Sequence, residues 1–319
     1  MPARTQKVVF ARINRRRPVG EDTIAARSFL DDMSALAESH ETTYVEPATR
    51  GHPARSWAAG DLRIVRWQPS LAGREVFASL DDYRTTGLSF MIGILGYTSA
   101  QQRRVFDEEH WSWISSRVEE TDTARDDTIS PFVVDLREGD RWVGFSPAAR
   151  LGPKAFAIGF ERVLNSAVLA GGVIPTEWEV DLVVSRNRVD EWIRVHPLVH
   201  MLRRTIKFTN PGRDLDSDRA EMRALAARRK TEEFKAPSNG VLNVRSDTFR
   251  EKLNGVETGD IELYLKSRGS RGAGDAIFRS NDSADSVSVD DFGGDLVRGT
   301  EIVMGSLIRY VTEKEIDRD

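Results

Sequence analysis

Cysteine is absent from this chain of 319 residues. Its absence excludes a disulfide scaffold, a thiol nucleophile and any zinc or iron–sulfur site with cysteine ligands. Long apolar runs are also missing, because none reaches the roughly 18 residues that a membrane-spanning helix needs. The most apolar run, Leu88–Tyr97, is typical of a buried strand. The N-terminal residues lack the apolar segment of a signal peptide, so we expect a cytoplasmic protein without membrane contact.

Lysine is scarce, since the 46 basic residues comprise eight lysines and 38 arginines. The net charge is −4, which shows that the chain as a whole is not a basic nucleic-acid-binding protein. Arginine offers a planar group that binds phosphates and carboxylates through two parallel hydrogen bonds. The excess therefore fits a phosphate-binding role, although a GC-rich genome produces the same bias.

Motifs of common enzymes are absent as well. The chain has no GxxxxGK[ST] phosphate loop, no GxSxG nucleophile turn and no HExxH zinc motif. His196 and His200 have helical spacing, but Pro197 lies between them and interrupts a zinc-binding helix. The sequence thus favours a non-catalytic protein that needs no metal and no small-molecule cofactor.

The segment from Glu177 to Pro211 predicts a strand, a helix and a second strand. Apolar residues alternate with acids from Glu177 to Val184, which is typical of a half-buried strand. Ser185 is a suitable N-cap, and Val189, Trp192 and Ile193 have the spacing of an amphipathic helix. The β-forming residues Thr205–Thr209 then predict the second strand.

The whole pattern predicts an α+β fold, with a mixed or antiparallel sheet and helices packed on one face. Before the Glu177–Pro211 segment come a predicted hairpin and a helix over Pro153–Ala170, and this order resembles a ferredoxin-like or related sandwich. Gln101–Arg117 is predicted to be helical. The polar segment Thr121–Thr128 suggests a boundary between an N-terminal α+β region, 1–120, and a C-terminal α+β region, 129–319.

Basic residues form four clusters, and grouped cations of this kind bind phosphates. The clusters are Arg12, Arg15, Arg16 and Arg17; Arg203, Arg204 and Lys207; Arg228, Arg229 and Lys230; and Lys266, Arg268 and Arg271. Phe208, Phe234 and Tyr264 lie near some of them and offer surfaces for base stacking. The alternative is that each cluster is a solvated face balanced by neighbouring acids.

Two other functions stay open. Asp260, Glu262 and Lys266 on a predicted strand suggest a nuclease that uses Mg²⁺, although their spacing differs from the familiar nuclease signature. The apolar face of a predicted helix over Gly299–Lys314 suggests instead a docking surface for a protein partner or a second copy of the chain.

The segment HPLVHMLRRTIKFTNP from His196 to Pro211, the acidic-then-basic helix after it and the Asn239-Gly240 turn resemble an uncharacterised bacterial family. The resemblance covers residues 131–291, and the genes of the family lie in phage-defence neighbourhoods. It implies a context of anti-phage defence. Together with the basic clusters, it leads us to expect a non-catalytic component that binds or senses DNA or RNA and works with a partner protein.

Overall fold

The computed structural model describes residues 5–16, 29–38, 42–48, 54–69, 75–78, 88–98, 104–107, 109–115, 128–137, 141–170, 177–207, 216–269 and 274–316. These segments contain both helices and strands in quantity, and the predicted α+β class is confirmed. None of their helices is both long and apolar enough to cross a bilayer.

The strands of the described segments are β1 Thr5–Arg16, β2 Thr43–Glu46, β3 Arg55–Pro69, β4 Glu75–Ala78, β5 Leu88–Thr98, β6 Arg104–Asp107, β7 Ser112–Ser115, β8 Ile129–Asp135, β9 Trp142–Phe145, β10 Glu177–Leu182, β11 Val199–Lys207, β12 Arg229–Lys235, β13 Ile261–Ser267, β14 Ala276–Arg279 and β15 Ser286–Asp290. The α-helices are α1 Phe29–Glu38, α2 Pro153–Ala170, α3 Arg186–Val195, α4 Asp216–Ala224, α5 Asp247–Glu257 and α6 Leu296–Ile316.

Contacts within the chain divide it into two units. The first comprises Met1–Ile13, Ala25–Val180 and Ser286–Asp319, and the second comprises Asn14–Ile24 and Asp181–Asp285. The chain passes between the units within β1 and again within β10. The boundary that the sequence suggests, at residues 121–128, falls inside the sequence range of the first unit.

The first unit contains a large sheet. Its described strands follow the order β10-β1-β9-β8-β5-β3-β2, with β15 beside β1 and β4 beside β3. The apolar run predicted as a buried strand is β5, which pairs with β3 and β8 in antiparallel fashion. Every residue of β8 is buried, because helices and neighbouring strands cover this part of the sheet.

Aromatic side chains fill the core beside α2. Phe156 on this helix stacks on Phe145 of β9, with ring centroids 3.8 Å apart. Phe160, one turn later, lies 4.8 Å from the ring of Phe132 on β8. Spacing of three to four residues along α2 thus turns one apolar stripe toward the sheet, as its sequence predicts.

Gly159 lets α2 approach β3 closely. A methyl group at this position would lie 2.2 Å from the nearest ring carbon of Trp57, which is fully buried. We expect Gly159→Ala to lower the free energy of unfolding by about 1–3 kcal/mol through overpacking. The same substitution at a solvent-exposed position inside a helix raises the free energy of unfolding by up to about 1 kcal/mol. At Gly159 we therefore expect the opposite sign.

Urea unfolding of Gly159→Ala and Gly152→Ala measures this effect. Gly152 precedes α2, and a methyl group there meets no atom within 4 Å. Equal midpoints for the two variants would contradict the close approach of Trp57.

The second unit is built on a four-stranded sheet with the order β12-β11-β13-β14, in which all three pairings are antiparallel. One face of this sheet carries the apolar cluster. Leu202 and Ile206 of β11 meet Leu265 and Ile261 of β13 in the register, and α3 and α5 cover them with Val189, Ile193, Phe249 and Leu253. Helix α3 begins after Ser185 and buries Val189 and Ile193, so its prediction is confirmed.

Three details differ from the sequence prediction. The segment predicted as a helix over Gln101–Arg117 contains the antiparallel strands β6 and β7 instead. Strand β1 continues through Arg16, although the basic run Arg15-Arg16-Arg17 before Pro18 predicts a turn. The order hairpin, helix, strand, helix, strand is present from β8 to β11, but β10 and β11 belong to different sheets.

The predicted docking face of α6 is part of the core of the first unit. Val303, Leu307 and Val311 are at most 3% exposed. Tyr310 on the same helix stacks on Phe10 of β1, with ring centroids 3.9 Å apart. These side chains are therefore not available to a partner in this structure.

Candidate nucleic-acid interface

The second face of the four-stranded sheet carries polar and charged side chains. In β13 the alternation is regular, because Ile261, Leu263 and Leu265 are buried whereas Glu262, Tyr264 and Lys266 point to the other side. The antiparallel register extends this division to the neighbouring strands. The exposed or half-buried side chains that share this face, called the exposed sheet face below, are Arg229, Thr231, Glu233, Lys235, Met201, Arg203, Thr205, Glu262, Tyr264, Lys266, Ile277 and Arg279.

One cross-strand row lies in the middle of the exposed sheet face. Glu233 of β12 is opposite Arg203 of β11, Arg203 is opposite Tyr264 of β13, and Tyr264 is opposite Arg279 of β14. The guanidinium carbon of Arg203 lies 5.0 Å from the centroid of the Tyr264 ring, and that of Arg279 lies 5.8 Å from it. The phenol ring thus holds two arginines by cation–π contacts, one from each neighbouring strand.

A second row runs beside the first. Met201, Lys266 and Ile277 are aligned across β11, β13 and β14. The amine of Lys266 lies 2.9 Å from a carboxylate oxygen of Asp275, and both side chains are about one-third exposed. The hydrogen bond to Asp275 and the charge of that carboxylate raise the pKa of Lys266. An exposed pair of this kind contributes little to stability, which leaves the amine able to exchange partners.

Lys207, a predicted binding residue, is buried instead. Its amine forms ion pairs with Asp181 and, at 2.9 Å, with Glu262. The amide of Asn14 donates a hydrogen bond of 2.8 Å to the second oxygen of Asp181. Burial raises the pKa of Glu262, but the charge and hydrogen bond of Lys207, together with Arg229 and Asn281, hold the pKa below its usual range. This cation is thus engaged inside the second unit.

Arg204 and Lys230 are also engaged, on the helix-covered side of the sheet. Arg204 donates to Glu232 and is 9% exposed. Lys230 contacts Glu221 at 2.6 Å, Asp218 at 2.9 Å and Glu232 at 3.1 Å. The hydrogen bonds that Lys230 donates to Glu221 and Asp218 raise the pKa of Lys230. Asp218 binds Lys252 of α5 as well, so this network joins α4, β12, β11 and α5.

The remaining predicted basic residues are dispersed. Arg12 is 8% exposed and lies over the ring of Trp142 within the first unit. Arg228 and Arg229 are exposed, and Arg268 is half-buried at the end of β13. Arg15 and Arg16 belong to β1, but their side chains, like Arg17 and Arg271 as a whole, lie outside the described residues. Among the described side chains, the predicted basic residues that share the exposed sheet face are Arg203, Arg229 and Lys266.

The residues of the nuclease alternative are separated. Asp260 accepts a hydrogen bond of 2.7 Å from Thr258, and Glu262 pairs with Lys207. Lys266 stands four residues beyond Glu262 on the same strand, about 13 Å away, and pairs with Asp275. In the described part of the chain, no group of three histidine or acidic side chains could hold a metal ion.

Arg279 is the residue that sequence reasoning missed, and Ile277 is its neighbour on the same face. Ala276–Arg279 is predicted to be a short strand, but the sequence does not show which strand lies beside it. The signal that was available is Tyr264, an aromatic residue that shares one face of a predicted strand with Glu262 and Lys266, two residues away on either side.

Comparison of the chain with known protein families, with curated proteins and with solved structures gives no match.

Proposed function

We propose that this protein binds nucleic acid on the exposed sheet face and does not cleave it. The observation that carries the proposal is the row of Arg203, Tyr264 and Arg279, in which one aromatic ring lies between two guanidinium groups. Aromatic rings and guanidinium planes stack on bases, and guanidinium groups bind phosphate through two hydrogen bonds.

The ring contacts also prepare the arginines for binding. A free arginine side chain loses rotamer freedom when it binds, at a cost of up to about 2 kcal/mol. Tyr264 already restricts Arg203 and Arg279, so part of this cost is met before the ligand arrives. Both guanidinium groups remain on an exposed face, and they therefore need little desolvation before they meet a phosphate.

Acidic side chains on the face do not prevent binding. Glu233 pairs with Lys235 at 2.8 Å, and the side chain of Lys235 is 68% exposed. Exposed ion pairs are worth about 1 kcal/mol or less, so a phosphate can replace the carboxylate. Arg203 and Arg279 lie on the exposed sheet face. The cations that acids hold most tightly, Arg204 and Lys230, lie on the opposite, helix-covered side of the sheet.

The anti-phage context and the partner protein, which the sequence resemblance implies, stay predictions. The same holds for the choice between DNA and RNA. A test of binding does not depend on either of them.

The proposed function predicts salt-dependent binding that requires both arginines. We expect Arg203→Ala and Arg279→Ala each to weaken the binding of a fluorescent oligonucleotide about tenfold, or about 1.4 kcal/mol. Each should also reduce the slope of log K against log salt by about 0.7, because one phosphate contact is lost. Polarisation titrations at several salt concentrations measure both quantities, and gel electrophoresis with Mg²⁺ shows whether the strand stays intact.

Arg194→Ala is the matched control. Arg194 lies on α3 in the same unit, its side chain is 73% exposed, and its only described ion pair is a 3.7 Å contact with Glu191. This variant loses the same charge but should bind like the native protein. Absence of binding at low salt by the native protein, or equal losses in all three variants, would contradict the proposal.

A further inference from the structure

We infer that the bound nucleic acid is a single strand with unstacked bases, in which one base contacts Tyr264 and its neighbour contacts Ile277. This inference rests on the proposed function, and it names the form of nucleic acid that the exposed sheet face accepts.

The spacing of the two apolar contact points supports the inference. Tyr264 is opposite Arg279 in the register, and Ile277 is opposite Lys266, so Tyr264 and Ile277 are diagonal neighbours on one face. Diagonal neighbours in an antiparallel sheet are about 7–8 Å apart. Bases stacked in a duplex follow one another at about 3.4 Å. Two successive bases can therefore reach both side chains only when they are unstacked.

Ile277 is an unusual residue for its position. Its side chain is 46% exposed among charged neighbours, and Met201 lies in the same row beyond Lys266. Single exposed apolar residues are common on protein surfaces. Here, however, the apolar side chain shares a face with the half-buried aromatic ring of Tyr264, and Lys266 stands next to both. The amine of Lys266 is placed to contact the phosphate that joins the two bases.

A single strand fits this face better than a duplex does. Its bases are read in the grooves by a helix or ribbon that projects into them, whereas the contact residues here lie on a sheet face. A duplex also presents one negative charge for about every 1.7 Å of its axis. Such a row of phosphates would meet Glu233 and Glu262, which stand at intervals on the face. A single strand can direct its few phosphates to the basic side chains.

The experiment compares three kinds of ligand, five molecules in all, with the intact protein. They are a fluorescent eight-nucleotide strand, prepared as RNA and as DNA, the duplex of each, and the DNA strand with abasic sites at all positions. Polarisation gives the affinity of native protein, Tyr264→Ala, Tyr264→Phe and Ile277→Ala for each ligand. Val241→Ala is the control for Ile277→Ala, because Val241 is 51% exposed in the same unit but lies outside the four strands.

We expect the single strand to bind more tightly than its duplex. Tyr264→Ala should weaken single-strand binding by about 5- to 150-fold, the range for loss of one stacked base, and Tyr264→Phe should restore it. Ile277→Ala should weaken it about fivefold through lost apolar contact, and Val241→Ala should not change it. With the abasic strand the loss in Ile277→Ala should disappear. The loss in Tyr264→Ala should shrink to the part that comes from releasing Arg203 and Arg279.

The outcomes separate the two proposals. The single-strand inference is overturned if strand and duplex bind equally and neither Tyr264→Ala nor Ile277→Ala has an effect. If Arg203→Ala still weakens binding in that case, the proposed function stands. Absence of binding to every ligand overturns both. Circular dichroism of each variant shows that the fold is intact, as expected for side chains on an exposed face.

Discussion

Lys207→Met is expected to lower the free energy of unfolding of the second unit by about 3–5 kcal/mol. Methionine is nearly as long as lysine and fills the space, but it leaves two carboxylates without their shared cation. Asp181 is 5% exposed at its side chain, and Glu262 is 34% exposed. The buried charge of Asp181 would then lose the cation that compensates it, and the half-buried charge of Glu262 would lose it as well.

The surroundings of Lys207 give these carboxylates little freedom to move away. Gly259 adopts a φ angle of +79°, and a methyl group on it would lie 2.6 Å from Cβ of Asp181. Asn14 holds one oxygen of Asp181 through its amide. Because the backbone and a neighbouring side chain fix Asp181, the loss of its cation cannot be relieved by a small shift.

Hydrogen–deuterium exchange and urea unfolding measure the effect of Lys207→Met. Faster exchange should appear in β11 and β13. The control is Lys235→Met, since Lys235 lies on the same sheet with a side chain that is 68% exposed and pairs with one carboxylate. Its cost should stay below about 1 kcal/mol, and a similar cost for the two variants would refute the role of Lys207.

Phe156→Ala should destabilise the first unit by about 3–5 kcal/mol, the usual loss for a buried aromatic side chain in a core. Phe156 is fully buried and contacts the rings of Phe145, Phe132 and Phe160. Its removal would leave a cavity, because these large rings come from a sheet and a helix that cannot both collapse onto the empty space.

Ile158→Ala is the control for Phe156→Ala, as Ile158 lies on the same helix and is 40% exposed. We expect its effect to be below about 1 kcal/mol. Calorimetry of both variants provides the test. A small effect of Phe156→Ala would mean that the aromatic stack does not hold α2 against the sheet.

Local patterns predict much of this fold, and long-range pairing explains the errors. Helix α3 follows from Val189 and Ile193 alone, since their spacing fixes one buried stripe. Between residues 101 and 117 the helix prediction is wrong. Val105 and Trp113 there belong to two short strands that pair with each other, and apolar residues that are few and unevenly spaced fit a helix or a strand equally well.

The candidate site was predictable only in part, because the pairing of distant strands is not visible in local sequence patterns. Arg203 and Tyr264 stand out in the sequence because they belong to basic and charged segments. Arg279 becomes their neighbour only through the strand order β12-β11-β13-β14, which no local pattern contains. Lys207 and Arg204 are errors of the opposite kind, because they were predicted to bind a ligand and do not reach the surface. They look like surface cations in the sequence, but both are buried and pair with acids from distant segments.

The division of both units into separate stretches of sequence affects how they can form on the ribosome. The first unit needs β15 and α6 from residues 286–316, whose Leu307 and Val303 belong to its core. Until those residues leave the exit tunnel, the apolar surface that they cover stays open to water and to other nascent chains. The second unit, residues 14–24 and 181–285, is synthesised in full before residues 286–316. Vectorial synthesis therefore favours completion of the second unit first, while part of the apolar surface of the first unit is still uncovered.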